Sequence, residues 1–214
     1  PADNRYARTA TLTLAADGTL SGQASWSLSP NIDAVFRSLL ARSSSPQQLL
    51  ENLLASTPEG GFGSFTSSDP RDLGRPLEVS AAWHSPHGVT PPAPETTLTV
   101  PSAPDIETVR MLRRYLMPDG HRRTPLLIGA RDLSWSTTLD LPAGMTARRL
   151  PADVAFSNDA GAYTAHAQRT ETGVRVERRL VIAHDVTQPE AYPALEALLY
   201  AALDDARATL TLAR

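Results

Sequence analysis

The chain contains no cysteine, so any chemistry would have to come from its histidines, acids, serines and arginines. This absence excludes a thiol nucleophile, zinc–thiolate or iron–sulfur ligation, and disulfide bonds. The closest histidine pair is His84 and His87, which lie on either side of Ser85-Pro86. A metal site would use such a pair, but no carboxylate lies beside it, and a strand end entering a proline-rich loop explains the same residues. We therefore expect no metal site and no cofactor.

A serine hydrolase is the second catalytic class to weigh. Ser85, His184 and Asp185 have the required residue types, because geometry and not sequence order defines a Ser-His-Asp triad. No serine lies in the Gly-x-Ser-x-Gly motif that forms a nucleophile elbow. We therefore predict no catalytic residue in this chain.

Four acidic residues raise the question of calcium, which prefers clustered oxygen ligands. They are Asp153, Asp159, Asp204 and Asp205, and no run alternates acids as an EF-hand loop does. Asp204 and Asp205 follow a predicted helix, where negative charge opposes the helix dipole. We expect these carboxylates to be solvated and to bind no ion.

The most basic local segment surrounds Tyr115. Arg113 and Arg114 precede this tyrosine, and Arg122 and Arg123 follow it. Guanidinium groups in this number could bind an anionic glycan, a phosphate group or the acidic face of a neighbouring domain. A solvated loop is the alternative interpretation. Among the functional interpretations we prefer domain docking, and we predict these five residues as the docking site.

The three tryptophans, Trp26, Trp83 and Trp135, each lie in a strand-like alternation of apolar and polar residues. Large aromatic side chains in such positions most often fill the core of a β-sandwich. A carbohydrate-binding platform would instead require two or three of them to be exposed and coplanar. The pattern favours the core.

Charge and hydropathy exclude two further classes. The formal net charge is -3, all basic residues are arginine, and acids and bases are interspersed, so we expect no binding to nucleic acid. No stretch approaches the about 20 apolar residues that span a membrane. Because the chain begins at Pro1 in a polar segment, we expect a mature or excised piece whose partner domains lie upstream.

Hydrophobic periodicity predicts the elements. Residues 6–14 and 20–28 alternate around Asp17-Gly18, which predicts a β-hairpin. Helical spacing predicts helices over 32–40, 49–54 and 188–203, and a segment over 106–117 that a loop explains nearly as well. Residues 58–74 indicate a connecting loop with room for one short strand. Further strands are predicted at 77–83, 126–128, 133–139, 146–150, 161–169, 174–182 and 209–212.

These elements predict a mainly β fold. We expect antiparallel, sandwich-like layers with about three short helices, including a C-terminal amphipathic helix. The proline-rich residues 86–94 are the clearest break in the pattern. They suggest an N-terminal module over 1–90 with two short helices and a C-terminal module over 91–214, although one composite domain fits the pattern as well.

The order of several short motifs resembles the C-terminal β-rich region of bacterial multidomain transglutaminase-like proteins. The resemblance covers about residues 123–212, and a looser match extends to Asp17-Gly18-Thr19-Leu20 and the segment Phe36-Arg37-Ser38-Leu39-Leu40. The motifs are Arg123-Thr124-Pro125-Leu126-Leu127, Leu141-Pro142-Ala143-Gly144, Leu150-Pro151-Ala152-Asp153-Val154, Gly161-Ala162-Tyr163, Arg178-Arg179-Leu180 and a terminal helix holding Tyr192.

The resemblance implies a papain-like catalytic core, with a cysteine nucleophile, a histidine and an aspartate, that lies upstream of this region. Without cysteine the chain cannot hold that triad, so no catalytic residue is carried over to any position. The resemblance also implies export to the periplasm or the cell surface.

We therefore expect a non-catalytic accessory or interaction module, whose partners are upstream domains of the same polypeptide or a separate protein. The alternative is a stand-alone β-sandwich module that binds a glycan or a peptide through an exposed aromatic or an unpaired edge strand. An enzyme that uses only Ser, His and Asp is the third hypothesis.

Overall fold

The predicted first hairpin is confirmed. A computed structural model of the chain describes residues 4–43, 45, 48, 61–86, 95–99, 112–117 and 122–214. In it, β1 (Arg5–Leu14) and β2 (Leu20–Leu28) pair antiparallel around a tight turn. Gly18 has a φ of +90°, and Asp17 Oδ1 accepts a hydrogen bond from the Thr19 N–H at 2.9 Å. The Asp-Gly dipeptide thus supplies the positive φ that only glycine adopts without steric cost.

Further strands follow in the described residues, together with two α-helices. The helices are α1 (Pro30–Arg42) and α2 (Tyr192–Asp205), and a 3-10 turn at Pro189–Ala191 leads into α2. The strands are β3 (Phe62–Ser67), β4 (Val79–Ser85), β5 (Glu95–Thr99), β6 (Leu126–Leu127), β7 (Arg131–Asp140), β8 (Thr146–Arg149), β9 (Val154–Asn158), β10 (Gly161–Arg169), β11 (Gly173–Ile182), β12 (Val186–Thr187) and β13 (Thr209–Ala213). The predicted mainly β fold with a C-terminal helix is confirmed.

Most sequence-predicted elements are found, with shifts of a few residues at their ends. β5, β9 and β12 were not predicted, and β12 has only two residues, too few to show any periodicity. The predicted helix over 49–54 lies outside the described residues, as does the proline-rich break after Pro86. Of the predicted helix over 106–117, only 112–117 are described, and 112–114 are helical.

Eight strands form one sheet in the order β3-β4-β2-β1-β7-β11-β10-β9. β1 and β7 pair in parallel, and the other neighbouring strands of this sheet are antiparallel. The parallel pair joins strands from either side of residue 90. The division into two domains, or one composite domain, stays a prediction.

One face of this sheet is buried under two covering layers. A three-stranded sheet, β5-β13-β8, packs on one half through Leu98, Leu210 and Leu212. Helix α2 packs on the other half through Leu195, Leu198 and other apolar residues of the same helix face. The face turned away from both layers carries mostly serine, threonine and charged side chains at the alternate positions. The candidate site has two separate parts, one on that uncovered face and one at the start of α2.

Helix α1 is anchored by charges on its inner side. Asp33 and Arg37 form a buried ion pair, and Asp33 Oδ2 accepts the Leu77 N–H at 2.6 Å. The Arg37 guanidinium donates to the main-chain oxygens of Pro70, Asp72 and Arg75 at 3.0, 2.9 and 2.7 Å. The pair therefore holds the connection between β3 and β4 against the helix.

Candidate functional site

The predicted docking residues lie around a single buried tyrosine at the start of α2. Arg113 and Arg114 are exposed, and Tyr115 is half-buried. The Tyr192 hydroxyl donates a hydrogen bond to the Tyr115 main-chain oxygen at 3.0 Å and accepts the Met117 N–H at 2.7 Å. Tyr192 therefore fixes the backbone that carries the first arginine pair.

The same tyrosine contacts Arg122 of the second arginine pair. The Arg122 guanidinium carbon lies 5.6 Å from the centroid of the Tyr192 ring, within the range of a cation–π interaction. Arg123 follows and is exposed. Burial raises the pKa of Tyr192, so its hydroxyl stays protonated and keeps its donor. We call Arg113, Arg114, Tyr115, Arg122 and Arg123 the arginine surface, because Tyr192 contacts both of the segments that carry them.

An exposed apolar side chain, Leu127, closely follows the arginine surface in the chain, and its strand partner is exposed as well. Leu127 is 75% exposed and Val186 is 43% exposed, and the two are cross-strand partners in the short β6–β12 pair. Leu127 lies four residues after Arg123. Basic side chains followed by exposed apolar ones are a composition found where one protein surface packs against another.

A groove of about 400 Å³ crosses the uncovered face of the eight-stranded sheet. Two adjacent rows of side chains line it across β1, β7, β11 and β10. The first row is Ala7, Ser134, Arg179 and Thr164, and the second is Thr9, Ser136, Glu177 and His166. Small hydroxyl side chains make up much of its floor.

The charged side chains of the groove are paired with neighbours. Arg179 binds Asp132 through two hydrogen bonds of 2.9 Å, and this contact lowers the pKa of Asp132 and raises that of Arg179. His166 Nδ1 lies 2.9 Å from Asp153 Oδ2, which lowers the pKa of Asp153.

The third pair joins Glu177 to Arg175 at 2.7 Å. Because each of these acids is matched by a base, the groove suits a neutral polar ligand better than an ion.

A buried polar cluster lies beneath α2. Asp205 Oδ2 accepts hydrogen bonds from the Tyr163 hydroxyl and from Arg178 Nε, both at 2.6 Å. Burial and the charge of Asp205 raise the pKa of Tyr163, which therefore remains a donor. The expectation that Asp205 is solvated is wrong, whereas Asp204 is exposed as expected. The sequence held a signal for this buried pair, because Arg178 lies on the inward face of β11 together with Val176 and Leu180.

The structure does not bring the hydrolase residues together. Ser85 is buried in β4, which three strands separate from β11, and it lies level with the Gly173 end of that strand. His184 follows the opposite end of β11, and its Nε2 lies 2.9 Å from the Asp159 main-chain oxygen. Asp185 Oδ1 accepts the Ala130 N–H at 2.8 Å. The observed partners of His184 and Asp185 are therefore backbone groups.

The remaining sequence candidates have ordinary surroundings. His84 contacts Phe62 edge-on, with ring centroids 5.5 Å apart, and His87 lies outside the described residues. Within the described ranges, no three His, Asp or Glu side chains are grouped as a metal site requires. The same ranges contain no helix with the length and apolar content of a membrane span.

The tryptophans are core residues, as the alternation predicts. Trp83 is buried in the core under the three-stranded sheet. Trp26 and Trp135 are half-buried and pack against the core under α2, and the Trp26 Nε1–H donates to the Tyr6 hydroxyl at 2.8 Å. They do not form an exposed aromatic platform.

Comparison with known proteins gave one family and one distant structure. The model of a family described as "Domain of Unknown Function with solved-structure structure (DUF3858)" matches residues 104–212. A crystal structure from Parabacteroides distasonis ATCC 8503, described as a "putative protease", aligns with a TM-score of 0.47 and 13% identity. The alignment covers 56% of this chain and 23% of that protein, so the chain spans less than a quarter of its length. A search of curated proteins found no match.

Proposed function

The chain belongs to the DUF3858 family, and we propose that it acts as a non-catalytic accessory module of a larger, exported bacterial transglutaminase-like protein. Its role is to bind and position the other domains of that polypeptide through the arginine surface. Catalysis in the whole protein is assigned to a separate core, because this chain has no cysteine. The placement in the periplasm or at the cell surface rests on the sequence resemblance.

The observation that carries the proposal is that Tyr192 contacts both of the segments that carry the arginines. Its hydroxyl binds the backbone of Tyr115 and Met117, and its ring contacts Arg122. A segment whose backbone is already held in place loses less conformational entropy on binding than a freely moving one does. The exposed Leu127 and Val186 add apolar area that a packed neighbour would bury. An acidic patch beside apolar residues is the complementary surface.

The test begins with the reading frame upstream of Pro1 in the source genome. We expect it to encode an export signal and a core with Cys, His and Asp in papain-like order. That core, produced separately, is titrated with this chain by calorimetry. Replacing Arg113 and Arg114 by Glu reverses the charge of the arginine surface, and we expect the affinity to fall by about tenfold or more.

The matched control reverses two other exposed arginines. Arg42 lies in the last turn of α1, and Arg71 lies between β3 and β4. Their replacement by Glu makes the same change in net charge and should leave the affinity unchanged. An upstream frame without a core, or equal affinities for both double variants, would contradict the proposal.

A second candidate function rests on the groove of the uncovered face. Its serine and threonine hydroxyls and its paired charges could hydrogen-bond the hydroxyls of a neutral glycan. Trp83 is buried, and Trp26 and Trp135 pack against the core, so they provide no exposed stacking platform and such binding would be weak. Glycan-array binding that Ser134→Val and Ser136→Val abolish would favour this function over the accessory role, and an array without binding would exclude it.

A further inference from the structure

β9 forms one edge of the eight-stranded sheet. It pairs with β10 on one side, and no described strand pairs with its other side. An edge strand presents alternate main-chain N–H and C=O groups that are available to another strand. The five residues of β9, Val-Ala-Phe-Ser-Asn, include no charge and no proline. β9 therefore lacks the charged residues and the proline that commonly discourage strand addition.

The two edges of the three-stranded sheet are different from β9, because both carry charged residues. β8 carries Arg148 and Arg149, and β5 carries Glu95, which forms an ion pair with Arg148. Charges on an edge are a common protection against pairing with another chain. Compared with the charged strands β5 and β8, β9 has the sequence that favours an added strand.

The side chains of β9 point alternately to the two faces of the sheet, and each face favours a different kind of side chain in an added strand. Val154 and Phe156 face the core under α2 and are half-buried. The exposed parts of their side chains are therefore available for apolar contact. Ala155 and Ser157 face the opposite side and are exposed. In a paired strand, directly opposed residues share a face of the sheet. A strand beside β9 would thus alternate apolar residues toward the α2 side with small polar residues on the other.

Exposed carboxylates border both ends of β9. Asp153 directly precedes it with its side chain 62% exposed, and Asp159 directly follows it and is also exposed. His166 lies beside Asp153. No ion pair is observed for the Asp159 side chain within the described residues. The uncharged edge is therefore flanked by negative charge.

We propose that β9 binds an extended peptide, or an extended segment of a partner protein, as an added strand. The bound segment has five residues that alternate apolar and small polar side chains, with a basic residue at each end. Main-chain hydrogen bonds supply much of the affinity, and Asp153 and Asp159 select the flanking bases. This surface differs from the arginine surface in both place and charge.

A second copy of the chain fits the same edge poorly. Antiparallel pairing of two β9 strands about a two-fold axis at Phe156 would set Asp153 opposite Asp159 of the other copy. Both ends of the pair would then juxtapose like charges, which destabilises cross-strand pairing. Charge complementarity therefore favours a basic-flanked peptide over self-association.

The experiment uses the whole chain and the acetylated, amidated peptide Arg-Val-Thr-Val-Thr-Val-Arg. This peptide reads the same in either direction, so it does not presuppose a strand orientation. We expect binding by calorimetry with a Kd below about 1 mM. Hydrogen exchange should show new protection of amides in β9. A peptide N-methylated at all five residues between its two arginines keeps its side chains but cannot complete the ladder in either orientation, and it should bind at least about tenfold more weakly.

Charge exchange tests the flanking acids. Asp159→Arg should weaken binding of the Arg-flanked peptide, and replacing one terminal Arg of the peptide by Glu should restore it. Glu171→Arg makes the same charge change at an exposed residue between β10 and β11 and should have no effect. Absence of binding up to about 1 mM, affinity insensitive to N-methylation or to Asp159→Arg, or self-association through β9 in sedimentation would overturn the proposal. None of these results depends on the arginine surface.

Discussion

Arg178 and Asp205 form an ion pair beneath the C-terminal end of α2, with Arg178 Nε 2.6 Å from Asp205 Oδ2. The two side chains are only 9% and 3% exposed. Tyr163 donates to the same carboxylate oxygen, so the charge of Asp205 is met by two donors. The pair connects the last residue of the helix to the middle of β11, and it does so between the two apolar layers that cover the sheet.

Removing one member of this pair should leave a buried charge unmatched. We expect Asp205→Ala to lower the free energy of unfolding by about 3–5 kcal/mol, measured by urea denaturation. Replacing both members, as Arg178→Met with Asp205→Leu, should recover much of that loss because no isolated charge remains. A double variant that is as unstable as the sum of the two single variants would contradict this account.

The exposed pair Arg175–Glu177 on the same strand is the matched control. Its side chains are 46% and 48% exposed, so solvent screens their attraction. Glu177→Ala should therefore cost less than about 1 kcal/mol in the same measurement.

Asp33 should make the stability depend on pH in the acidic range. The Arg37 guanidinium holds the pKa of Asp33 below its ordinary value of 3.8, and the Leu77 N–H adds to the effect. A carboxyl with a lowered folded pKa stabilises the fold above its unfolded pKa, and this contribution is lost as pH falls through the folded pKa.

We expect the free energy of unfolding to fall as the pH is lowered below about 4. In Asp33→Asn this fall should be less steep than in the parent, by up to about 1.4 kcal/mol per pH unit. Arg37→Gln removes the cause of the shift and should flatten the dependence in the same way. Urea denaturation at a series of pH values measures the slope. Slopes equal to that of the parent in both variants would show that this pair is not the source.

Tyr192→Phe tests how the arginine surface is held. It removes the hydroxyl that binds Tyr115 and Met117 but keeps the ring beside Arg122. We expect a loss of about 1–3 kcal/mol in stability and faster hydrogen exchange at the Met117 amide. Tyr200→Phe is the control, because Tyr200 is exposed on the outer side of the same helix. Unchanged exchange at Met117 in Tyr192→Phe would remove the role assigned to the hydroxyl.

Tryptophan fluorescence reports on the core. A variant with Trp26→Phe and Trp135→Phe retains only Trp83, whose side chain is 4% exposed. Its emission should resist quenching by acrylamide in the folded protein and become quenchable in guanidinium. Equal quenching in both states would place Trp83 at the surface and reopen the question of an aromatic platform.

Local patterns were sufficient to predict many of the elements. The alternation in residues 6–14 and 20–28 and the Asp-Gly turn predict the first hairpin, because strand period and turn geometry are properties of neighbouring residues. The terminal helix was predicted for the same reason, since Leu195, Leu198 and Leu199 share one face at helical spacing. The absence of cysteine excluded thiol chemistry without any structural information.

Relationships between distant residues required the tertiary structure. The parallel pairing of β1 with β7, the ion pair of Arg178 with Asp205, and the contacts of Tyr192 with Tyr115 and Arg122 join residues far apart in the chain or on different elements. Periodicity states which face a residue occupies, but not which element covers that face. Whether a charge on an inward position meets a partner is decided by packing, because only packing brings the partner within hydrogen-bond distance.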